Sequence, residues 1–131
     1  MLIRPRVFLA DDHSQLLEAE SDLLRPLFDI VGTAMDGDAL VSEALRLNPD
    51  VIIVDITMPI LNGIEAVQKL VQSGSTSKFI FLTIHSSQEF IVACVDAGAR
   101  GFVSKSKMKA HLIPAIRAVL DDMSYISSSV E

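Results

Sequence analysis

Short apolar runs rich in β-branched residues alternate along this chain with stretches of helical periodicity. Each apolar run has the length of a strand, and each intervening stretch is long enough for a helix. Parallel strands need such crossovers, which are almost always right-handed. The alternation therefore predicts one α/β domain, a doubly wound parallel sheet of five strands with helices on both faces. The predicted strands cover residues 6–10, 29–34, 50–55, 78–83 and 101–104, and the predicted helices cover residues 14–25, 38–47, 63–71, 87–97 and 108–122.

Length and composition restrict the class of protein. A chain of 131 residues fits one domain spanning 1–131 and buries a sizeable core. The apolar runs are too short to cross a bilayer, so no membrane role is expected. The single cysteine, Cys94, excludes an internal disulfide, and no secretory signal is visible, which predicts a cytoplasmic protein. A formal net charge of −6 argues against direct binding of nucleic acid.

Polar side chains follow the predicted strands at one end. Asp11 and Asp12 come directly after the first strand, and Asp55 closes the third. Thr83 ends the fourth strand, and Lys105 follows the fifth. The carboxyl ends of parallel strands meet at one edge of the sheet, where such folds bind ligands. If the first and third strands are neighbours, three carboxylates gather there beside a hydroxyl and an ammonium group.

Such a group of carboxylates requires a cation. Two like charges 4 Å apart repel by roughly 4 kcal/mol at an effective dielectric constant of about 20, and one lysine cannot offset three carboxylates. Mg²⁺ is favoured over Ca²⁺ because it accepts one or two carboxylates, keeps water ligands and takes a phosphate oxygen. A carboxylate beside a metal, a hydroxyl and an ammonium group is an arrangement for phosphoryl transfer, with an acyl phosphate forming on Asp55.

Five motifs follow one another along the chain: LADDH (9–13), VDITMP (54–59), LTIH (82–85), AGARGFVSK (97–105) and AIRAVLDDMSYIS (115–127). Taken together, they resemble the receiver domain of bacterial two-component response regulators, and the resemblance covers essentially the whole chain. Within that family the chain resembles the NarL/FixJ/LuxR-type subfamily, whose receivers precede a helix-turn-helix DNA-binding domain. The resemblance implies a flavodoxin-like (βα)5 fold with strand order 2-1-3-4-5.

The resemblance assigns a metal-binding role to four residues. It implies that Asp55 is the phosphoacceptor and that Asp12 and Asp55 ligate Mg²⁺ directly. Asp11 is expected to act through water, and the backbone carbonyl of Thr57 to complete the protein ligands.

The resemblance also assigns the residues that respond to phosphorylation. Thr83 matches the switch hydroxyl, Lys105 the phosphate-binding lysine, and Phe102 the aromatic residue that moves on activation. His13 and His85 are interpreted as solvated loop histidines.

The function implied is that of a signalling switch rather than an enzyme acting on an external substrate. A sensor histidine kinase is the expected phosphodonor, and a homodimer is expected on phosphorylation. DNA would be bound only through a C-terminal helix-turn-helix domain that this chain does not include. The polar tail at residues 124–131 is predicted to begin a linker.

Three alternatives belong to other functional classes. A phosphohydrolase with a carboxylate nucleophile would need a second carboxylate as general acid where Thr57 stands. A flavodoxin-like cofactor binder would need a phosphate cradle where Asp11 and Asp12 stand. A pseudo-receiver, acting only as an interaction module, would follow if the bulk of Ile84, or Ser106 in place of a proline after the lysine, spoils the site.

Overall fold

A computed structural model describes residues 3–85 and 87–127 of the protein. These residues form one parallel sheet with α-helices on both faces. The α/β fold predicted from the sequence is confirmed. The strands are β1 Arg6–Ala10, β2 Asp29–Ala34, β3 Val51–Val54, β4 Lys78–Thr83, β5 Gly101–Ser104 and β6 Tyr125–Ser127, and the helices are α1 Ser14–Leu24, α2 Gly37–Leu47, α3 Gly63–Gln72, α4 Gln88–Ala97 and α5 Met108–Leu120.

The strand order is β2-β1-β3-β4-β5-β6, so the first five strands lie in the expected order 2-1-3-4-5. The sixth strand corrects the prediction of five. Tyr125 and Ile126 pair in parallel with Gly101 and Phe102 of β5, where a linker had been expected to begin. This pairing follows from the open edge of β5, whose backbone groups need partners. The last four residues of the predicted linker, 128–131, lie outside the described residues.

The central strand β3 connects two apolar layers. All four of its residues are at most 1% exposed. Ile52 and Val54 pack into the layer beneath α2, α3 and α4. Val51 and Ile53 pack into the layer beneath α1 and α5. Covering helices on both faces explain why β3 is continuously apolar rather than alternating.

Helix ends follow from local capping. The side chain of Asn62 accepts a hydrogen bond from the amide of Glu65, and the Glu65 side chain accepts one from the amide of Asn62, which forms a capping box at the start of α3. Asn48 ends α2 in the left-handed conformation, with φ of 48°.

Helix α5 continues through Pro114. Within the described ranges, no helix is long and apolar enough to cross a membrane.

Candidate functional site

Strand pairing places two of the predicted acidic residues side by side. Ala10 of β1 lies in register with Val54 of β3, so the residues that follow, Asp11 and Asp55, leave the sheet together. The amide of Asp55 donates a hydrogen bond to the carbonyl of Ala10 over 3.0 Å. The two carboxylates are almost fully buried, with Asp11 1% and Asp55 4% exposed.

Four potential ligand groups converge at this edge of the sheet. One side-chain atom each from Asp11, Asp12, His13 and Asp55 lies within 4.8 Å of the others. Asp12 is partly exposed, with 29% of its side chain accessible. His13 is a loop residue with its side chain 69% exposed, as interpreted from the sequence, and its Nδ1 also lies 3.2 Å from Asp11 Oδ1 and 2.9 Å from Asp12 Oδ1. The sequence indicated this contact only in that His13 directly follows Asp11 and Asp12.

Lys105 bridges the two buried carboxylates. Its Nζ lies 2.9 Å from Asp11 Oδ2 and 2.9 Å from Asp55 Oδ2. Burial alone would lower the pKa of Lys105, but the hydrogen bonds to Asp55 and then Asp11 outweigh it and raise that pKa above its ordinary value. The peptide bond that joins Lys105 to Ser106 is trans. The single charge of Lys105 leaves the cluster with an excess of negative charge.

The donor set fits a hard divalent cation. Asp55 Oδ1 is buried and accepts no hydrogen bond from the described residues, although its other oxygen is paired with Lys105. Asp12 Oδ1 is also buried without a hydrogen bond there, because His13 Nδ1 approaches it outside hydrogen-bond geometry. Unpartnered buried carboxylate oxygens are costly, and a metal ion bound by oxygen ligands would satisfy both.

A cavity of about 590 Å³ opens above Asp55. Ile84 lines this cavity and is 73% exposed. Thr57 Oγ1 and His85 Nε2 are 2.8 Å apart across the mouth, and the His85 ring lies against Phe90 with centroids 4.7 Å apart. His85 is a partly exposed loop residue, and these two contacts hold its ring in place. The described lining residues are His13, Leu16, Asp55, Thr57, Ile84, His85 and Lys105.

Thr83 and Phe102 lie behind this cavity and do not belong to its described lining. Thr83 is fully buried at the end of β4, and its hydroxyl accepts a hydrogen bond from the amide of His85. Phe102 is 1% exposed in the layer beneath α2, α3 and α4, and is paired with Phe81 of β4. The structure thus brings Asp11, Asp12, Asp55 and Lys105 together. The two proposed switch residues, Thr83 and Phe102, are buried in neighbouring strands β4 and β5.

The backbone around Asp55 is held by a close approach of α3. The amide of Gly63 donates to the carbonyl of Ile56 over 2.8 Å. A Cβ atom at position 63 would lie 2.0 Å from the carbonyl oxygen of Asp55. Glycine is therefore required here for steric reasons, and it fixes the loop that carries the buried carboxylate.

Comparison with known proteins identifies the family. Residues 7–117 match the response regulator receiver domain. The chain belongs to this family. As a receiver, it resembles the transcriptional regulatory protein DegU of Brevibacillus brevis, with 32% identity over 95% of the chain and 54% of DegU. It is also similar to the response regulator UvrY of Escherichia coli K12, with 35% identity over 95% of the chain and 58% of UvrY.

A solved structure supports both the fold and the subfamily. The crystal structure of a LuxR-family two-component response regulator from Aurantimonas sp. SI85-9A1 superposes with a TM-score of 0.90 and 31% identity, covering 95% of this chain and 91% of that one. The receiver spans little more than half the length of the curated relatives DegU and UvrY. DegU is named as a transcriptional regulatory protein and UvrY as a response regulator.

Proposed function

We propose that this receiver accepts a phosphoryl group on Asp55 from a sensor histidine kinase, with Mg²⁺, and thereby controls an output, most directly transcription. One observation carries the proposal. Lys105 holds one oxygen of Asp55 at 2.9 Å, while the other oxygen has no hydrogen-bond partner among the described residues, at the base of a cavity open to solvent. This is the arrangement that a carboxylate phosphoacceptor needs.

The metal would be held by the carboxylates of Asp12 and Asp55 and the backbone carbonyl of Thr57, with Asp11 acting through water. When bound, Mg²⁺ supplies positive charge to the oxygens of the phosphoryl group and orients them. The excess negative charge of the cluster favours a divalent ion over a monovalent one.

The chain's own residues support the transfer step. A carboxylate oxygen of Asp55 forms a bond to phosphorus while the bond between phosphorus and the donor's histidine nitrogen breaks. The electron pair of that bond remains on the imidazole nitrogen, which takes up a proton from solvent. Lys105 moves its hydrogen bond from the carboxylate to a phosphoryl oxygen and offsets the developing charge.

The output follows from the two residues behind the site. The hydroxyl of Thr83 turns from the His85 amide towards a phosphoryl oxygen. Its movement frees space in which Phe102 rotates, and this reshapes the surface formed by α4, β5 and α5. A phosphoryl group adds about −1.5 to −2 charges and strong acceptor oxygens, which drive this rearrangement.

The similarity to longer regulators supports a wider context. In the whole protein, a helix-turn-helix domain following the receiver would bind DNA, and phosphorylation would promote a homodimer. Both histidine kinase and DNA are cytoplasmic partners, so the receiver is assigned to the cytoplasm.

The test is intact mass after incubation with acetyl phosphate and Mg²⁺. The wild-type protein is expected to gain one phosphoryl group, and Asp55→Asn to gain none, because an amide is not a nucleophile for this reaction. Asp38→Asn, an exposed aspartate of α2, is the matched control and should react like wild type. Equal uptake by Asp55→Asn would refute the assignment. Release of phosphate from an aryl phosphoester beyond one equivalent would instead indicate a hydrolase.

A further inference from the structure

His13 precedes helix α1, but its side chain does not cap that helix. It stands at the N-cap position with extended backbone and makes no side-chain capping hydrogen bond. Its carbonyl accepts hydrogen bonds from the amides of Leu16 and Leu17, and its own amide donates to Asp11 Oδ1 over 2.9 Å. The backbone of His13 is therefore fixed on both sides, and its imidazole is left for another role.

The imidazole approaches both neighbouring carboxylates with the same nitrogen. Nδ1 lies 3.2 Å from Asp11 Oδ1 in a hydrogen bond. It lies 2.9 Å from Asp12 Oδ1 outside hydrogen-bond geometry, and that buried oxygen has no hydrogen-bond partner among the described residues. A nitrogen and an oxygen held this close without a shared proton repel each other, and a cation bound to both would remove the repulsion.

The contact with Asp12 has the spacing of two neighbouring ligands of one metal ion. At bonds of about 2.1 Å, adjacent ligands of an octahedral ion lie about 3.0 Å apart. In the tautomer that carries its proton on Nε2, the Nδ1 atom has a lone pair to donate. His13 Nδ1 and Asp12 Oδ1 can therefore bind the same ion.

Asp55 supplies the independent sign of a bound cation at this place. It is 4% exposed, and its buried Oδ1 accepts no hydrogen bond from the residues that the structure describes. One of its carboxylate oxygens lies within 4.8 Å of the ligand atoms of Asp11, Asp12 and His13. The ion that the carboxylates require is thus within reach of the imidazole as well.

A nitrogen ligand changes which metal the site favours. Mg²⁺ takes oxygen ligands and keeps its waters, whereas imidazole is a good ligand for first-row transition ions, with affinity rising from Mn²⁺ to Co²⁺. The side chain of His13 is 69% exposed, so its ring can adjust to the ion without disturbing the core.

We propose that His13 is a direct nitrogen ligand of this metal site, together with Asp12 and Asp55, and that the receiver therefore accepts a first-row transition ion such as Mn²⁺ or Co²⁺ in place of Mg²⁺. The inference rests on the metal site of the proposed function but not on phosphoryl transfer. It adds a ligand to the four metal-binding residues assigned above, and with it a preference among divalent ions.

The first experiment measures Co²⁺ and Mg²⁺ affinities by isothermal titration calorimetry for wild type, His13→Phe and His111→Phe. Phenylalanine keeps a flat ring without a nitrogen ligand. His111 lies outside the cluster, with its Nδ1 2.6 Å from the Tyr125 hydroxyl, so His111→Phe controls for Co²⁺ bound by any imidazole.

His13→Phe is expected to lose about tenfold or more in Co²⁺ affinity and to keep its Mg²⁺ affinity within about twofold, because only Co²⁺ gains from the imidazole. His111→Phe should bind both ions like wild type. An unchanged Co²⁺ affinity in His13→Phe overturns the proposal. An equal change for both ions also overturns it, since His13 would then act only through the charge of the cluster.

The second experiment detects the bond itself. Electron spin-echo modulation of the Mn²⁺-loaded protein should show a coordinated ¹⁴N nucleus in wild type and in His111→Phe, and none in His13→Phe. Asp12→Asn should weaken binding of both Mn²⁺ and Mg²⁺, which locates the ion at this cluster. Wild type without the nitrogen signal overturns the inference on His13, whereas phosphoryl uptake on Asp55 with Mg²⁺ would still support the proposed function. A nitrogen signal in a protein that takes up no phosphoryl group would support the ligand and count against the phosphoacceptor alone.

Discussion

Asp55 ends an apolar strand, and its carboxylate is stable there because Lys105 supplies a charge at 2.9 Å. The same ammonium group serves Asp11 at 2.9 Å, so one cation supports two buried carboxylates. Each alone would face a large desolvation penalty. Asp11, Asp55 and Lys105 are therefore better described as one charge cluster than as separate ion pairs. Removing the lysine would leave two buried carboxylates without a counter-ion.

Lys105→Met is expected to lower the free energy of unfolding by about 3–5 kcal/mol without metal, because two buried carboxylates lose their shared counter-ion. Added Mg²⁺ should recover more stability in this variant than in wild type, since the metal replaces the lost charge. Urea unfolding followed by circular dichroism, in EDTA and in Mg²⁺, measures both effects. Lys109→Met, at an exposed position, should behave like wild type. Equal unfolding midpoints for Lys105→Met and wild type would contradict the cluster.

Glu20→Gln is expected to stabilise the protein, and by more as the pH rises. Glu20 is 1% exposed on the inner face of α1. Burial raises the pKa of Glu20 from 4.5 to about 8 on folding, so between these values the unfolded chain releases a proton that the folded chain keeps. Wild-type stability from this group is full below about pH 4.5 and is lost progressively up to about pH 8. At about 1.4 kcal/mol per pKa unit, the gain from glutamine is at most about 5 kcal/mol.

Unfolding midpoints of wild type and Glu20→Gln, measured in urea from about pH 5 to pH 9, give this difference directly. Glu18→Gln, on the exposed side of the helix, should show no such trend. A difference between Glu20→Gln and wild type that stays constant with pH would mean that the carboxyl group titrates normally in the folded protein.

Helix α3 fixes the position of the phosphoacceptor loop through its first residue. Gly63→Ala would place a methyl carbon 2.0 Å from the Asp55 carbonyl oxygen, and the contact is to backbone, which cannot rotate away. We expect a loss of about 1–3 kcal/mol in stability, as for other overpacked sites, and slower phosphoryl uptake because the loop must shift. Gln68→Ala, exposed on the same helix, should leave both unchanged. Full uptake at unchanged stability would show that the loop tolerates the displacement.

The hydrophobic pattern was sufficient to predict the five helices and the first five strands, because it shows which face of each segment is buried. The pattern placed β3 and the acidic residue at its end, Asp55, since a fully buried parallel strand leaves a continuous apolar run. Leu17 and Leu24 lie on the inner face of α1, at helical spacing. The same spacing includes Glu20, but a pattern gives a position and not a protonation state, so a buried carboxyl group among leucines could not be inferred from it.

The sheet has two edges, and the segment following α5 covers one of them. Strand β6 was missed because three residues carry little periodicity, and their pairing depends on an edge that exists only once β5 has folded. Tyr125 is anchored twice, by its amide to the Arg100 carbonyl at 2.9 Å and by its hydroxyl to His111 Nδ1 at 2.6 Å. Through the register of Ile126 with Phe102, β6 pairs directly with the strand that carries the proposed switch residue.

Truncation after Ser124 should therefore loosen β5 while leaving the opposite edge unchanged. Amide hydrogen exchange of Gly101–Ser104 is expected to accelerate, because edge backbone groups lose their partners and become accessible to water. Exchange in β2, the other edge strand, is the internal control and should keep its wild-type rates. If β5 exchanges at the same rate in both proteins, β6 does not protect that edge in solution. A uniform acceleration across the sheet would instead mean that β6 contributes to the global stability of the domain rather than to its edge alone.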